Sequence, residues 1–174
     1  MKTIYWTSYA LHDLSQYLFA HDEGLVMITL PEEPFEEAMT WIRRKFSPCR
    51  CIEDEDVLRV YCRALTAYWD GEQNVTSKLT LSLEGTDFQC LVWQELLTIP
   101  YGETVSYQTI ADRIGRPKAV RAVANAIAAN PIPYLIPCHR VIGKNGALTG
   151  YRGGLALKRA LLDQERKVTT LQKG

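Results

Sequence analysis

Ser106-Tyr107-Gln108-Thr109-Ile110-Ala111-Asp112-Arg113-Ile114-Gly115-Arg116-Pro117-Lys118-Ala119-Val120-Arg121 is the stretch on which the fold turns. Ser106 has the side chain of a helix N-cap, so a short helix is expected from Tyr107 to Ile114. Gly115 ends it, because glycine enters the left-handed C-cap conformation without a Cβ penalty. Pro117 suits a first helical turn and predicts a second helix from Lys118 to about Ala129, closed by Pro131. Two short helices joined by Gly115-Arg116-Pro117 make a helix-turn-helix pattern. The second helix is rich in small residues: Ala119, Ala122, Ala124, Ala126, Ala128 and Ala129, with Arg121 the long cation at its centre. Small side chains let a helix approach another surface closely. That surface can be a groove of DNA or simply a neighbouring helix.

Towards the N-terminus, Thr86 can cap a helix through Phe88, Leu91, Val92, Leu96 and Leu97, and Ile99-Pro100-Tyr101-Gly102 reads as a turn. A domain boundary is expected near Glu84-Gly85-Thr86. Before it, Ile4 to Tyr9, Gly24 to Leu30 and Leu79 to Leu83 read as strands. Glu32 to Phe46 reads as an amphipathic helix with Phe35, Met39, Ile42 and Phe46 at helical spacing, and Asp54 to Trp69 as another with Val57, Tyr61, Leu65 and Trp69 on one face. This first domain, residues 1–84, shows no catalytic signature and reads as a support. The second is expected over 86–166, with 167–174 a loose tail.

Charge divides along the same line. Residues 1–100 hold eight Lys and Arg against sixteen Asp and Glu, whereas residues 101–174 hold twelve against four. Such asymmetry points to a polyanion meeting the second half, although two surfaces of opposite sign would account for it equally well. The chain has five cysteines, an odd number at irregular spacing. At least one is therefore a free thiol, which fits a reducing cytoplasm. No signal peptide or membrane span is read.

Ile136-Pro137-Cys138-His139-Arg140-Val141-Ile142 carries the chemistry. A cysteine attacks as its thiolate, and at an ordinary pKa only a few per cent is ionised at neutral pH. His139 and Arg140 can raise that fraction. Adjacent residues of an extended chain point apart, so the pair needs a bent loop or a bridging water. Pro131, Pro133 and Pro137 would stiffen such a loop. Standing alone, Cys138 reads as well as a small buried hydrophobe. Glu165 alters the balance. A helix after Gly153-Gly154, running to about Arg166, buries Leu157, Leu161 and Leu162 and turns Lys158 and Arg159 partly outward. Glu165 lies on or beside its apolar face. A carboxylate there requires a partner, and His139 is the obvious one.

The segments Gly102-Glu103-Thr104-Val105-Ser106-Tyr107, Arg116 to Val123, Asn130-Pro131, Ile136 to Val141, Gly150-Tyr151-Arg152-Gly153-Gly154 and Leu161 to Glu165 resemble, in order and spacing, the O6-alkylguanine-DNA alkyltransferases. The resemblance covers about residues 86–166; the first 84 match only in size and general character. It implies an α+β protein, with a small ribonuclease-H-like α/β domain before a mostly helical domain whose helix-turn-helix is winged-helix-like. It implies that Cys138 accepts an alkyl group irreversibly from the O6 of guanine, with the O4 of thymine as a second candidate, in double-stranded DNA. Glu165, His139 and a water would take the thiol proton, and Asn130 would brace the loop. The second helix would enter the minor groove, with Arg121 filling the gap left by a flipped nucleotide. Ser106, Ala122, Ala124 and Asn125 are expected at the DNA. Tyr107 would contact the guanine ring and a phosphate, and the carbonyls of Cys138 and Val141 the exocyclic amine. Arg152 stands where some members have a serine that contacts the guanine oxygen, so that contact falls to the backbone and Tyr151.

A thioether has no good leaving group and nothing here regenerates the thiol. Each molecule is therefore expected to act once, as a monomer, without cofactor. Cys49-Arg50-Cys51 is too tightly spaced for a zinc site, so no metal is expected. A non-catalytic sensor of alkylated DNA, a helix-turn-helix regulator and a cysteine hydrolase are the competing readings. None of them accounts for the Cys–His–Glu set in a DNA-binding frame.

Overall fold

The computed structural model describes residues 1–173. It is a mixed α/β protein of six helices and a small sheet, divided into two compact units that part between Ser82 and Leu83.

The first unit is built on β1 (Lys2–Leu11), β2 (Leu14–His21), β3 (Gly24–Ile28) and β4 (Cys49–Glu53), in the order β3-β2-β1-β4. β1 runs antiparallel to β2 and parallel to β4. Side chains alternate across a strand, so Ile4 and Trp6 face α1 (Phe35–Phe46). Tyr9, of opposite parity, reaches α2 (Glu55–Trp69) through a 2.8 Å bond to Thr66. Ile4, Phe19, Val26, Ala38, Met39, Ile42 and Phe46 form the core beneath α1.

Several expectations for this unit are corrected. α1 starts at Phe35 rather than Glu32, because Pro34 holds the N-cap position in an extended conformation. α2 buries Leu58, Tyr61, Ala64, Leu65 and Tyr68, and Val57 is exposed. The buried stripe is thus turned by one residue from the expected one. β2 and β4 were not among the expected strands, and the Leu79–Leu83 segment makes a single bridge, Leu81 to Leu25.

The second unit opens with α3 (Asp87–Leu96), held by a capping box in which Thr86 and Gln89 bond each other's backbone N–H. Then come β5 (Val105–Ser106), α4 (Tyr107–Arg113) and α5 (Val120–Ala128). Ser106 caps α4 by accepting from the Thr109 N–H, and Gly115 sits at φ +72° in the turn, as the sequence predicts. α5 begins two residues later than expected, since Pro117 to Ala119 form a turn before it. Its inner face, Val123, Ala126 and Ile127, packs on α3, where the buried Trp93 indole donates to the Ala126 carbonyl at 2.8 Å. Its outer face presents Arg121, Ala122 and Asn125 to solvent, with Ala124 half-buried.

A 3-10 turn, Cys138–Arg140, leads into β6 (Val141–Ile142). β6 pairs in parallel with β5, Val105 against Val141 and Ser106 against Ile142. This two-rung ladder fastens the Cys138 turn to the start of α4. α6 (Leu155–Lys173) closes the chain. Of the tail expected over 167–174, residues 167–173 are the last turns of α6, and residue 174 lies outside the described residues. Thr169 donates to the Glu165 carbonyl. A Cβ on Gly102, at φ +82°, would come within 2.3 Å of the Thr169 hydroxyl oxygen, so that turn is closely docked. Among the described residues no helix is long and apolar enough to cross a membrane.

Candidate active site

Residues 130–141 are buried without interruption. A buried loop must satisfy its backbone polar groups internally, and Asn130 does much of this. Its Nδ2 donates to the Ile136 carbonyl at 2.9 Å and its Oδ1 accepts from the Ile132 N–H at 3.0 Å. The same side chain hydrogen-bonds the Cys138 thiol. The Asn130 carbonyl accepts from Arg152 Nη2 at 3.1 Å. Within the loop, Ile136 N–H reaches the Ile132 carbonyl and Cys138 N–H the Ile136 carbonyl, while Tyr134 turns at φ +68°. The 3-10 turn supplies the bend that adjacent Cys138 and His139 require.

Cys138 is a free thiol, as are the other four cysteines. Burial pushes its pKa up; the Asn130 hydrogen bond and the charges of Arg152 and Lys158 oppose that without cancelling it. At rest the group is therefore a thiol, and a base is needed to make it a nucleophile.

Behind it, Glu165 Oε1 lies 3.1 Å from His139 Nε2. Burial alone would raise the Glu165 pKa, but hydrogen bonds from His139 and Arg140, with their charges, hold it down to about 2. The carboxylate is thus ionised and accepts only. His139 is fully buried, and desolvation lowers its pKa despite the opposing pull of Glu165. A neutral imidazole facing an acceptor through Nε2 must carry its proton there. The lone pair then sits on Nδ1, the tautomer a general base needs.

Arg140 is placed differently from the sequence expectation. It was expected to add charge beside the thiol. Instead its Nε spans both Glu165 oxygens at 2.9 and 3.0 Å, its Nη2 reaches Oε1 at 2.5 Å and its Nη1 donates to the Ile99 carbonyl at 2.7 Å. The guanidinium also lies 5.5 Å from the Tyr101 ring. Glu165 therefore serves two partners, of which the sequence indicated one.

Lys158 is the second correction. It was expected partly outward, and it is fully buried. Its ammonium donates to the carbonyls of Val141 at 2.6 Å and Thr149 at 3.0 Å. The signal was available: Lys158, Leu161, Leu162 and Glu165 stand at i, i+3, i+4 and i+7 on one helical face. Thr149 also accepts from the Tyr107 hydroxyl at 3.2 Å. The Tyr107 and Lys158 side chains thus meet on one carbonyl beside the Cys138 turn, and Val141, in β6, is buried among them. Ser106 and Tyr151 are half-buried, whereas Arg152 is largely exposed. Arg121, Ala122 and Asn125 lie on the outer face of α5, apart from the thiol's hydrogen-bond network. Among the described residues no group of three His, Cys, Asp or Glu side chains is placed to hold a metal.

Residues 87–167 match the family model of the 6-O-methylguanine DNA methyltransferase DNA-binding domain. The inducible methylated-DNA–protein-cysteine methyltransferase of Bacillus subtilis strain 168 is 44% identical over 170 residues, 97% of this chain and 93% of that one. The crystal structure of the Mycobacterium tuberculosis O6-methylguanine methyltransferase superposes with a TM-score of 0.80 at 39% identity, covering 97% of this chain and 98% of that one. The M. tuberculosis OGT in complex with DNA superposes with a TM-score of 0.77 at 38% identity, covering 95% and 94%. With a relative this similar along nearly its whole length, and a buried cysteine, histidine and glutamate set in the matched domain, the chain belongs to the methylated-DNA–protein-cysteine methyltransferase family.

Proposed function

We propose that this protein repairs alkylated DNA by direct reversal, moving an alkyl group from guanine O6 to Cys138 in a single turnover. The observation that carries the reading is the Glu165–His139 pair behind a buried thiol. It fixes the tautomer that leaves Nδ1 as base, in a site where the thiol is otherwise held protonated.

The proton leaves Cys138 for His139 Nδ1 through a water. The sulfur lone pair attacks the alkyl carbon, the S–C bond forms and the C–O6 bond breaks with its electron pair moving onto the guanine. Arg140 keeps Glu165 ionised and in place; it acts through His139. The oxygen of a paired base is not reachable by a buried thiol, so the nucleotide must be turned out of the stack. The outer face of α5 suits this. Ala122 and Ala124 permit close approach to the minor groove, Asn125 and Ser106 offer polar contacts, and Arg121 is long enough to hold the vacated gap. Tyr107 exchanges its Thr149 contact for the guanine ring and a phosphate. The Cys138 and Val141 carbonyls take the exocyclic amine, and the backbone near Arg152, with Tyr151, faces the guanine oxygen.

We carry with this reading a monomer in the cytoplasm, in keeping with five free thiols, a supporting ribonuclease-H-like first unit and a winged-helix-like second. The reading extends to thymine O4, unranked against guanine O6.

Incubating the protein with a duplex containing O6-methylguanine and taking an intact mass tests the proposal. The expected result is a gain of one methyl group, mapped to Cys138 and missing in Cys138→Ala. DNA bound with no change in mass would sink the transfer and leave a sensor or a regulator.

A further inference from the structure

Lys158 is the one lysine among the described residues that is fully removed from solvent. An ammonium in that position needs something to hold it. Two backbone carbonyls do so, Val141 at 2.6 Å and Thr149 at 3.0 Å. Both bear on the nucleophile. The Val141 N–H donates to the Cys138 carbonyl across the 3-10 turn. The Thr149 carbonyl also receives the Tyr107 hydroxyl. One ammonium therefore ties together the turn that carries the thiol, the loop beyond it and the first residue of α4. The carboxylate on the same stripe of α6, Glu165, is engaged by His139 and Arg140. Burial lowers the Lys158 pKa, and the charge that raises it again is that of Cys138.

We propose that Lys158 is a positioning residue for alkyl transfer, bracing the Val141 and Thr149 carbonyls around the Cys138 pocket and setting a fixed positive charge beside the thiolate at the moment of attack. The proposal rests on the reading of Cys138 as the alkyl acceptor. Lys158 neither gives nor takes a proton in it. The thiol proton goes to His139, the S–C bond forms, and the C–O6 electron pair goes to guanine. The ammonium lowers the free energy of the anion that precedes attack. Its hydrogen bond occupies one lone pair of the Val141 carbonyl and leaves the other for the guanine amine. A compact point charge suits this place better than a planar guanidinium. The other charge that acts on the thiol is that of Arg152, from the loop before α6, while His139, Arg140 and Glu165 are engaged with one another through the adjacent turn. All of them remain in a Lys158 variant.

Lys158→Met keeps the stem and removes the charge. Its test is the pH dependence of Cys138 alkylation by iodoacetamide, read beside single-turnover methyl transfer from an O6-methylguanine duplex and beside duplex affinity. The midpoint of the iodoacetamide profile should rise by about one pH unit and transfer at neutral pH should slow about tenfold, with duplex affinity nearly unchanged. Lys158→Arg should recover part of the midpoint shift. A folded Lys158→Met with the wild-type midpoint overturns the proposal. If Lys158→Met does not fold, the wild type decides: the Nζ titration of Lys158 is followed by nitrogen NMR before and after Cys138 is capped with iodoacetamide. A thioether cannot become an anion, so the lysine pKa should fall on capping, and an unchanged titration overturns the proposal. Wild type that takes no methyl group from DNA refutes the alkyl-transfer reading itself. An unmoved iodoacetamide profile refutes only the role of Lys158.

Discussion

Cys62 on α2 is half-buried and Cys138 in the second unit is buried, and their charged surroundings differ. Burial pushes Cys62 up to about 11, and the nearby Glu55 adds to the shift. Burial raises Cys138 as well, but Asn130, Arg152 and Lys158 all push the other way. Neither is a nucleophile at rest. Of the two, only Cys138 has cations, Arg152 and Lys158, whose charge opposes the rise, and under the proposed function the neighbouring His139 takes its proton. Burial thus raises both thiols, although the proposed function asks that Cys62 be inert and Cys138 reactive. What separates them is whether the surroundings stabilise the charged form that burial disfavours.

The largest effect expected from this contrast is all-or-none. Cys138→Ala should abolish methyl transfer, and Cys62→Ala should leave its rate unchanged. Iodoacetamide should label Cys138 well ahead of Cys62 in the folded protein, as peptide mapping can show. Labelling at equal rates would remove the distinction between the two sites.

Next comes the ion cluster. Glu165→Gln leaves the Arg140 guanidinium buried without its carboxylate, which costs about 3–5 kcal/mol of stability. The pH dependence has a definite sign. The folded pKa of Glu165 lies near 2, below its ordinary value of 4.5. Its stabilisation is therefore complete above the unfolded value and is lost as pH falls from about 4.5 towards 2. Urea unfolding across that range should show a steeper acid-side loss in wild type than in Glu165→Gln. Parallel slopes would mean that the carboxylate is not held ionised by its partners.

The two units also differ in how much of them could be read in the sequence. The His139–Glu165 contact was legible because a carboxylate on the apolar face of α6 needs a partner, whereas the loop-bracing place of Asn130 came from the family resemblance alone. The capped helices α3 and α4 were legible because Thr86, Ser106 and Gly115 act locally. β2 was not. The turn between β1 and β2 is His12-Asp13, with His12 at φ +54°, where glycine or asparagine usually gives the signal. β4 was missed because Cys49-Arg50-Cys51-Ile52-Glu53 becomes a strand only by pairing with β1. Lys158 was read as outward from its residue type, although its spacing on α6 put it on the buried face. The last turns of α6 were read as a tail because their anchor, the close approach of Thr169 to Gly102, links residues far apart in sequence.

Asn130 gives an intermediate effect. Asn130→Ala removes the partners of two buried backbone groups, the Ile132 N–H and the Ile136 carbonyl, and should cost about 2–4 kcal/mol. It also removes the hydrogen bond to the Cys138 thiol. Alkylation of Cys138 by iodoacetamide should consequently slow at neutral pH in whatever fraction remains folded. A variant that loses stability but keeps the wild-type iodoacetamide rate would make Asn130 a scaffold for the loop and nothing more.

The smallest effect belongs to the face of α5 that touches neither the thiol nor its base. Arg121 is exposed, and its removal uncovers no buried group, so Arg121→Ala should leave thermal stability within about 0.5 kcal/mol. If Arg121 holds the gap left by a flipped nucleotide, its loss bears on duplex DNA alone. Unstacking a base costs a few kcal/mol, and forfeiting part of the compensation should slow repair of a duplex by about tenfold. Methyl transfer from the free base, which needs no flipping, should change much less. The same variant should shorten the linear dependence of duplex affinity on salt by about one counterion only if Arg121 also neutralises a phosphate. Equal slowing on duplex and free base would place Arg121 in the chemistry rather than in the extrusion. That result would break the separation between the α5 surface and the buried thiol site.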